Sequence, residues 1–68
     1  MRQYTVEASD PIELARDLGI PFRAVAVRLG VTPDWARHLA RDFHQAGRVR
    51  RAVLELALER ERLAGLVS

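Results

Sequence analysis

Asp34, Arg37, His38 and Arg41 follow Thr32-Pro33, the last three lying three, four and seven residues beyond Asp34. They share one stretch with Trp35, Ala36, Leu39, Ala40 and Phe43. On a helix of 3.6 residues per turn the apolar set takes the buried face and the polar set the outer side. The outer side then offers guanidinium forks that donate two hydrogen bonds at once, a carboxylate that accepts, and an imidazole that can do either. That inventory suits recognition by hydrogen bonding and charge more than bond-making. The chain has no cysteine nucleophile and no glycine-rich phosphate loop, and His38 and His44 lie six apart, on different helix faces. A metal pair at that spacing is disfavoured. The chain is too short to build a substrate pocket easily. Neither an enzyme nor a cofactor is expected.

The elements that must position these side chains are limited by length. Sixty-eight residues make one small domain with no cysteine to staple it, so close helix packing or self-association must supply stability. A hydrophobic content of 49% argues for a packed core. MRQYTVEA has no apolar run of the signal-peptide kind, and the longest charge-free stretch is Leu63 to Ser68. No membrane span and a cytoplasmic location are expected. The net charge is only +2, and all eleven basic residues are arginine. The absence of lysine and asparagine suggests a GC-rich coding sequence, which tempers the weight of arginine abundance. Distribution matters more: Arg48, Arg50 and Arg51 form the densest basic cluster.

In chain order, RQYTVEA reads as a short extended or β arm (residues 1–9). Asp10 and Pro11 are a helix start, and Gly19 is a stop. Ile12, Ala15 and Leu18 share the first helix face, with Leu14 at its edge. A second helix begins near Pro21 with the stripe Phe22, Val25, Ala26 and Leu29, and ends at Gly30. Thr32 caps a third helix with Pro33 as its first residue, predicted over 33–46 and ended by Gly47. Arg16-Asp17-Leu18-Gly19-Ile20 and Val27-Arg28-Leu29-Gly30-Val31 share a helix-end signal. A fourth helix, 48–66, places Val49, Val53, Leu56, Leu63 and Val67 on one stripe and Leu54 and Leu58 on another. The second stripe makes Leu54 and Leu58 candidates for a dimer interface. Glu55, Glu59, Glu61, Arg60 and Arg62 read as solvent-face ion pairs within this helix. The expected fold is all-α: a three-helix core over 10–47 and a fourth helix, in one domain over 1–68.

The stretch Phe22 to Arg41, FRAVAVRLGVTPDWARHLAR, resembles the helix-turn-helix of small bacterial and phage DNA-binding proteins. Ala26 is small where the helices cross, Gly30 follows four residues later, Val31 is apolar after the turn, and Ala36 and Leu39 face inward. The family usually carries a larger branched residue where Ala36 stands. The resemblance implies a four-helix helix-turn-helix domain that places its second motif helix in the DNA major groove. It marks Asp34, Arg37, His38 and Arg41 as base-contacting candidates, and Arg23 and Thr32 as phosphate contacts. Arg48, Arg50 and Arg51 would add phosphate contacts. The implied protein is a transcriptional regulator, a homodimer that binds double-stranded DNA.

Other readings of the same residues stay open. Arg37 and Arg41 could be a solvated face paired to Asp34 and Asp42, and His38 could pair with Asp42. Trp35 and Phe43 read as core. A ribbon-helix-helix would use the arm, with Gln3 and Thr5 or Arg2 and Tyr4 reading bases, but leaves the helix after Thr32 unexplained. A winged helix would place a hairpin after Phe43, against the helical period of Ala52 to Ala64. A protein-binding adaptor or antitoxin-like module is the reading from a different class.

Overall fold

The computed structural model describes residues 10–67, so the expected N-terminal arm lies outside the described residues. The chain forms four helices: α1 (Pro11–Asp17), α2 (Phe22–Leu29), α3 (Pro33–Arg41) and α4 (Ala46–Val67). Among the described residues there is no strand, and 46–67 is one helix where a winged domain would place its hairpin. No helix among them is long and apolar enough to cross a membrane.

Local chemistry sets most of the helix ends. The Asp10 carboxylate accepts the Ile12 N–H at 2.8 Å, and Pro11 opens α1 where no N–H is needed. Two helices stop by one device. Gly19 (φ 71°) and Gly30 (φ 74°) take the left-handed conformation. The next residue then donates back five positions: Ile20 N–H to the Ala15 carbonyl at 2.8 Å, and Val31 N–H to the Ala26 carbonyl at 3.0 Å. This is the Schellman closure, and it is the physical content of the repeated Leu-Gly-Ile and Leu-Gly-Val signal.

The end of α3 departs from the sequence expectation of 33–46. The helix stops at Arg41, and Asp42 turns extended (φ −83°, ψ 122°). Its carboxylate accepts the His44 N–H at 2.8 Å, and its carbonyl accepts from Gln45 and Ala46. Asp42 therefore offers the backbone an alternative to continuing the helix. Gly47, expected to end α3, lies inside α4, which starts two residues earlier than the sequence reading placed it.

The N-terminal half of α4 belongs to the core and is not an appendage to it. α4 packs against α1, α2 and α3, and α2 packs on α3. Leu14, Ala15, Ile20, Val25, Leu39, Ala40, Val49, Ala52 and Val53 form the buried cluster. Val25, Val49 and Val53 are its largest fully buried side chains.

Two expected core aromatics are outside. Trp35 is 52% exposed and Phe43 91% exposed. Only Ala36, Leu39 and Ala40 of α3 are buried, and Trp35 sits one residue off that arc. Phe43 is not on the helix at all, because Asp42 has already ended it. Leu18, expected on the inner face of α1, is 38% exposed, while Pro11, Leu14 and Ala15 are buried. Among the described side chains of the α4 stripe, burial is confined to the first half. Leu56 and Ala57 still pack on the cluster, whereas Leu63 is 63% exposed. Leu54 and Leu58 also differ from each other: Leu54 packs against the core edge and Leu58 is 61% exposed.

Candidate nucleic-acid interface

The surface begins with how α2 and α3 are held together. Val25, Ala26 and Ala36 are no more than 1% exposed, so small side chains sit where the two helices approach. Val31, half-buried, packs on the core just after the Gly30 turn. Thr32 Oγ1 then accepts the Trp35 N–H at 3.2 Å and fixes the start of α3. A larger branched residue in place of Ala36 would have to displace its neighbours.

With Ala36, Leu39 and Ala40 turned inward, the opposite arc of α3 is exposed. It carries Asp34, Arg37, His38 and Arg41 together, with Trp35 at its border. Arg37 Nη1 donates to Asp34 Oδ1 at 3.2 Å, one turn away. The Asp34 side chain is 99% exposed and that of Arg37 52%. The pair steadies the guanidinium without burying it. His38 stacks on Trp35, with ring centroids 4.9 Å apart and planes 28° apart. Sequence reasoning missed this aromatic partner, and its signal was present: Trp35 and His38 are three residues apart. The expected His38–Asp42 pair gives way to this stack and to the Asp42 cap of His44.

The remaining candidates lie on α2, at the start of α3 and on α4. Arg23 on α2 is exposed, and Thr32 lies at the N-terminus of α3. Arg48 and Arg51 are exposed at the head of α4, and Arg50 is half-buried. His44 lies against the exposed Phe43 ring, with centroids 5.5 Å apart. Among the described residues no group of three His, Asp or Glu side chains is placed to hold a metal.

Two arginines prove to be structural. Arg28, in the last turn of α2, donates from Nε to Glu55 Oε1 at 3.0 Å and from Nη1 to Glu59 Oε2. The hydrogen bond to Glu55 is the largest influence on Arg28 and, with Glu59, holds its pKa above the ordinary arginine value against some desolvation. The sign is simple: this contribution is present at every pH below the ordinary arginine value and is lost only as pH rises through the raised one. Arg60 Nη1 donates to the Gly19 carbonyl at 2.6 Å. Glu55 and Glu59 of α4 thus reach across to α2. The reading that paired them with Arg60 and Arg62 along one helix is corrected for Glu55 and Glu59.

No known protein-family model, curated protein or solved structure matches the chain. What the surface does rests on its own geometry. It can present two guanidinium groups, a carboxylate and a stacked imidazole–indole pair from one helix face, and α2 and α4 carry further exposed arginines.

Proposed function

We propose that this chain is a sequence-specific DNA-binding protein of the helix-turn-helix type, acting as a transcriptional regulator and working as a homodimer. The observation that carries the reading is the division of α3. Its inner arc is locked by Ala36, Leu39 and Ala40, and its outer arc presents Asp34, Arg37, His38 and Arg41 to solvent. A helix of this kind fits the major groove, and its N-terminal side chains reach base edges.

Each residue then has a role. Arg37, buttressed by Asp34, donates two hydrogen bonds to a guanine. Asp34 keeps a free lone pair for a cytosine amino group. His38 reads the next base, and its stack on Trp35 fixes the ring plane. Arg41 reaches further along the groove. Arg23 on α2, Thr32 at the turn, and Arg48 and Arg50 at the head of α4 contact phosphate and set the register. Two copies place two α3 helices on successive turns of a near-palindromic site.

The test is fluorescence polarisation with labelled duplex DNA at two salt concentrations. If two copies each neutralise phosphates through Arg23, Arg48 and Arg50, six contacts give a log–log slope of about −5.4. Affinity should then fall about 1,000-fold between 50 and 200 mM salt. Absence of binding to any duplex at low salt would overturn the proposal. Salt-insensitive binding to a protein would favour the adaptor or antitoxin reading instead.

A further inference from the structure

The outer face of α4 carries a pattern that the core touches only at Leu54. Gly47, Arg51, Leu54, Leu58, Glu61 and Gly65 are spaced four, three, four, three and four residues apart. That is a seven-residue repeat with two positions per repeat, the spacing of a coiled-coil seam. Every member is exposed except the half-buried Leu54. The seam runs beside a groove of about 740 Å³ between the end of α1 and α4, whose apolar walls are Leu18, Leu54, Ala57, Leu58 and Ala64.

The seam is complementary to itself when reversed. With two α4 helices antiparallel and the two-fold axis level with Leu56, Leu54 of one copy meets Leu58 of the other. Arg51 then meets Glu61, and Gly47 meets Gly65. All three pairs are satisfied by one register and occur twice, as an isologous interface requires. A parallel pairing sets Arg51 against Arg51 and Glu61 against Glu61, so the charges select direction as well as register. We infer that α4 pairs with α4 of a second copy in this antiparallel register, with Leu54 and Leu58 as the apolar centre and Arg51–Glu61 at both ends.

This assignment takes Arg51 out of the phosphate-contacting set and gives it to the dimer. It deepens the homodimer part of the proposed function, and it stands or falls without DNA. The groove beside the seam receives the partner helix. Leu18, which the core leaves partly exposed, then becomes a wall of that contact.

The experiment uses the whole chain and no DNA. Sedimentation equilibrium should give a dimer for the native chain at micromolar concentration. Arg51→Glu and Glu61→Arg should each weaken dimerisation about tenfold or more at low salt, since each places like charges together at both ends. The doubly substituted chain, R51E with E61R, should regain the dimer; in a parallel pairing all four chains carry like charges at both positions, so neither the loss nor the rescue would appear. Circular dichroism should show unchanged helicity in all three, because both sites are exposed.

The absence of cysteine permits a covalent check. Arg51→Cys combined with Glu61→Cys should oxidise to a linked dimer. Neither single variant should do so, because equivalent positions lie about 15 Å apart along the axis at 1.5 Å per residue. A monomeric native chain, or efficient cross-linking of Arg51→Cys to itself, would overturn the inference. Loss of DNA binding with the dimer intact would count against the DNA reading alone.

Discussion

Replacing Gly30 by alanine isolates backbone strain from packing at the turn that sets α3. Gly30 has φ 74° and ψ 30°, and a Cβ built there meets no atom within 4 Å. The cost is therefore conformational: the left-handed region costs a residue with a Cβ about 1–2 kcal/mol. Alanine also narrows the unfolded ensemble, which returns about 0.4–1 kcal/mol. The net loss should lie between about 0 and 1.6 kcal/mol, or up to roughly 13 °C in melting temperature for a chain of this size. Gly30→Asn should lose less, since asparagine tolerates this conformation better. Gly19→Ala should lose more. It carries similar strain, and its Cβ would sit 3.3 Å from Arg60 Nη1, the group that donates to the Gly19 carbonyl. Urea denaturation followed by circular dichroism measures all three. A loss above about 3 kcal/mol for Gly30→Ala would refute the reasoning, because strain alone cannot supply it. So would equal losses at Gly19 and Gly30.

Three more perturbations separate the roles assigned above. Arg37→Ala should cost about 1–3 kcal/mol in DNA affinity and relax base preference at one position, measured by polarisation against a panel of single-base variants. An equal loss on every sequence would make Arg37 a phosphate contact. Val53→Ala removes two carbons from a fully buried site and should cost about 2 kcal/mol of stability in urea, while Leu63→Ala, on the exposed end of α4, should cost little. Arg28→Gln should lower the melting temperature at low salt by releasing Glu55 and Glu59, and the difference should shrink as salt screens the exposed pairs. A salt-independent difference would point to lost packing of the arginine stem instead.

The helix punctuation was legible because it is local. Asp10-Pro11, Gly19, Gly30 and Thr32-Pro33 each act within five residues, and each does in the structure what its chemistry demands. The end of α3 was not legible in the same way. Asp42 competes with four further residues of apolar and polar periodicity, and only the backbone geometry shows that its side chain wins. The aromatic placement followed from that error: with the helix drawn to 46, Phe43 falls on the inner face, and with it ended at 41 it does not. Of the candidate site, the outer arc of α3 came from spacing alone. The Arg28 link to Glu55 and Glu59 spans 27 and 31 residues, a pairing that helical periodicity cannot encode.

The core explains why α4 has to do more than close it. Among the described residues, five of the eleven buried hydrophobic side chains are alanines, and of Phe22, Trp35 and Phe43 only Phe22 packs on the cluster while the other two are at the surface. Small residues at the crossings let four short helices approach closely, but each contributes little apolar area. A chain of this length has few other sources of stability, with no disulfide to constrain it. The second half of α4 extends beyond the buried cluster with Leu58 and Leu63 uncovered, so the proposed second copy would add buried area where the first has run out of partners. The same economy bears on α3. Because its inner arc is mostly alanine, the helix sits close against α2 and α4, and its position is set by backbone approach more than by long side chains. If α3 reads DNA as proposed, a face held in that way would keep Arg37 and His38 fixed relative to the α4 seam, and pairing α4 with α4 would then also fix the separation of the two α3 helices.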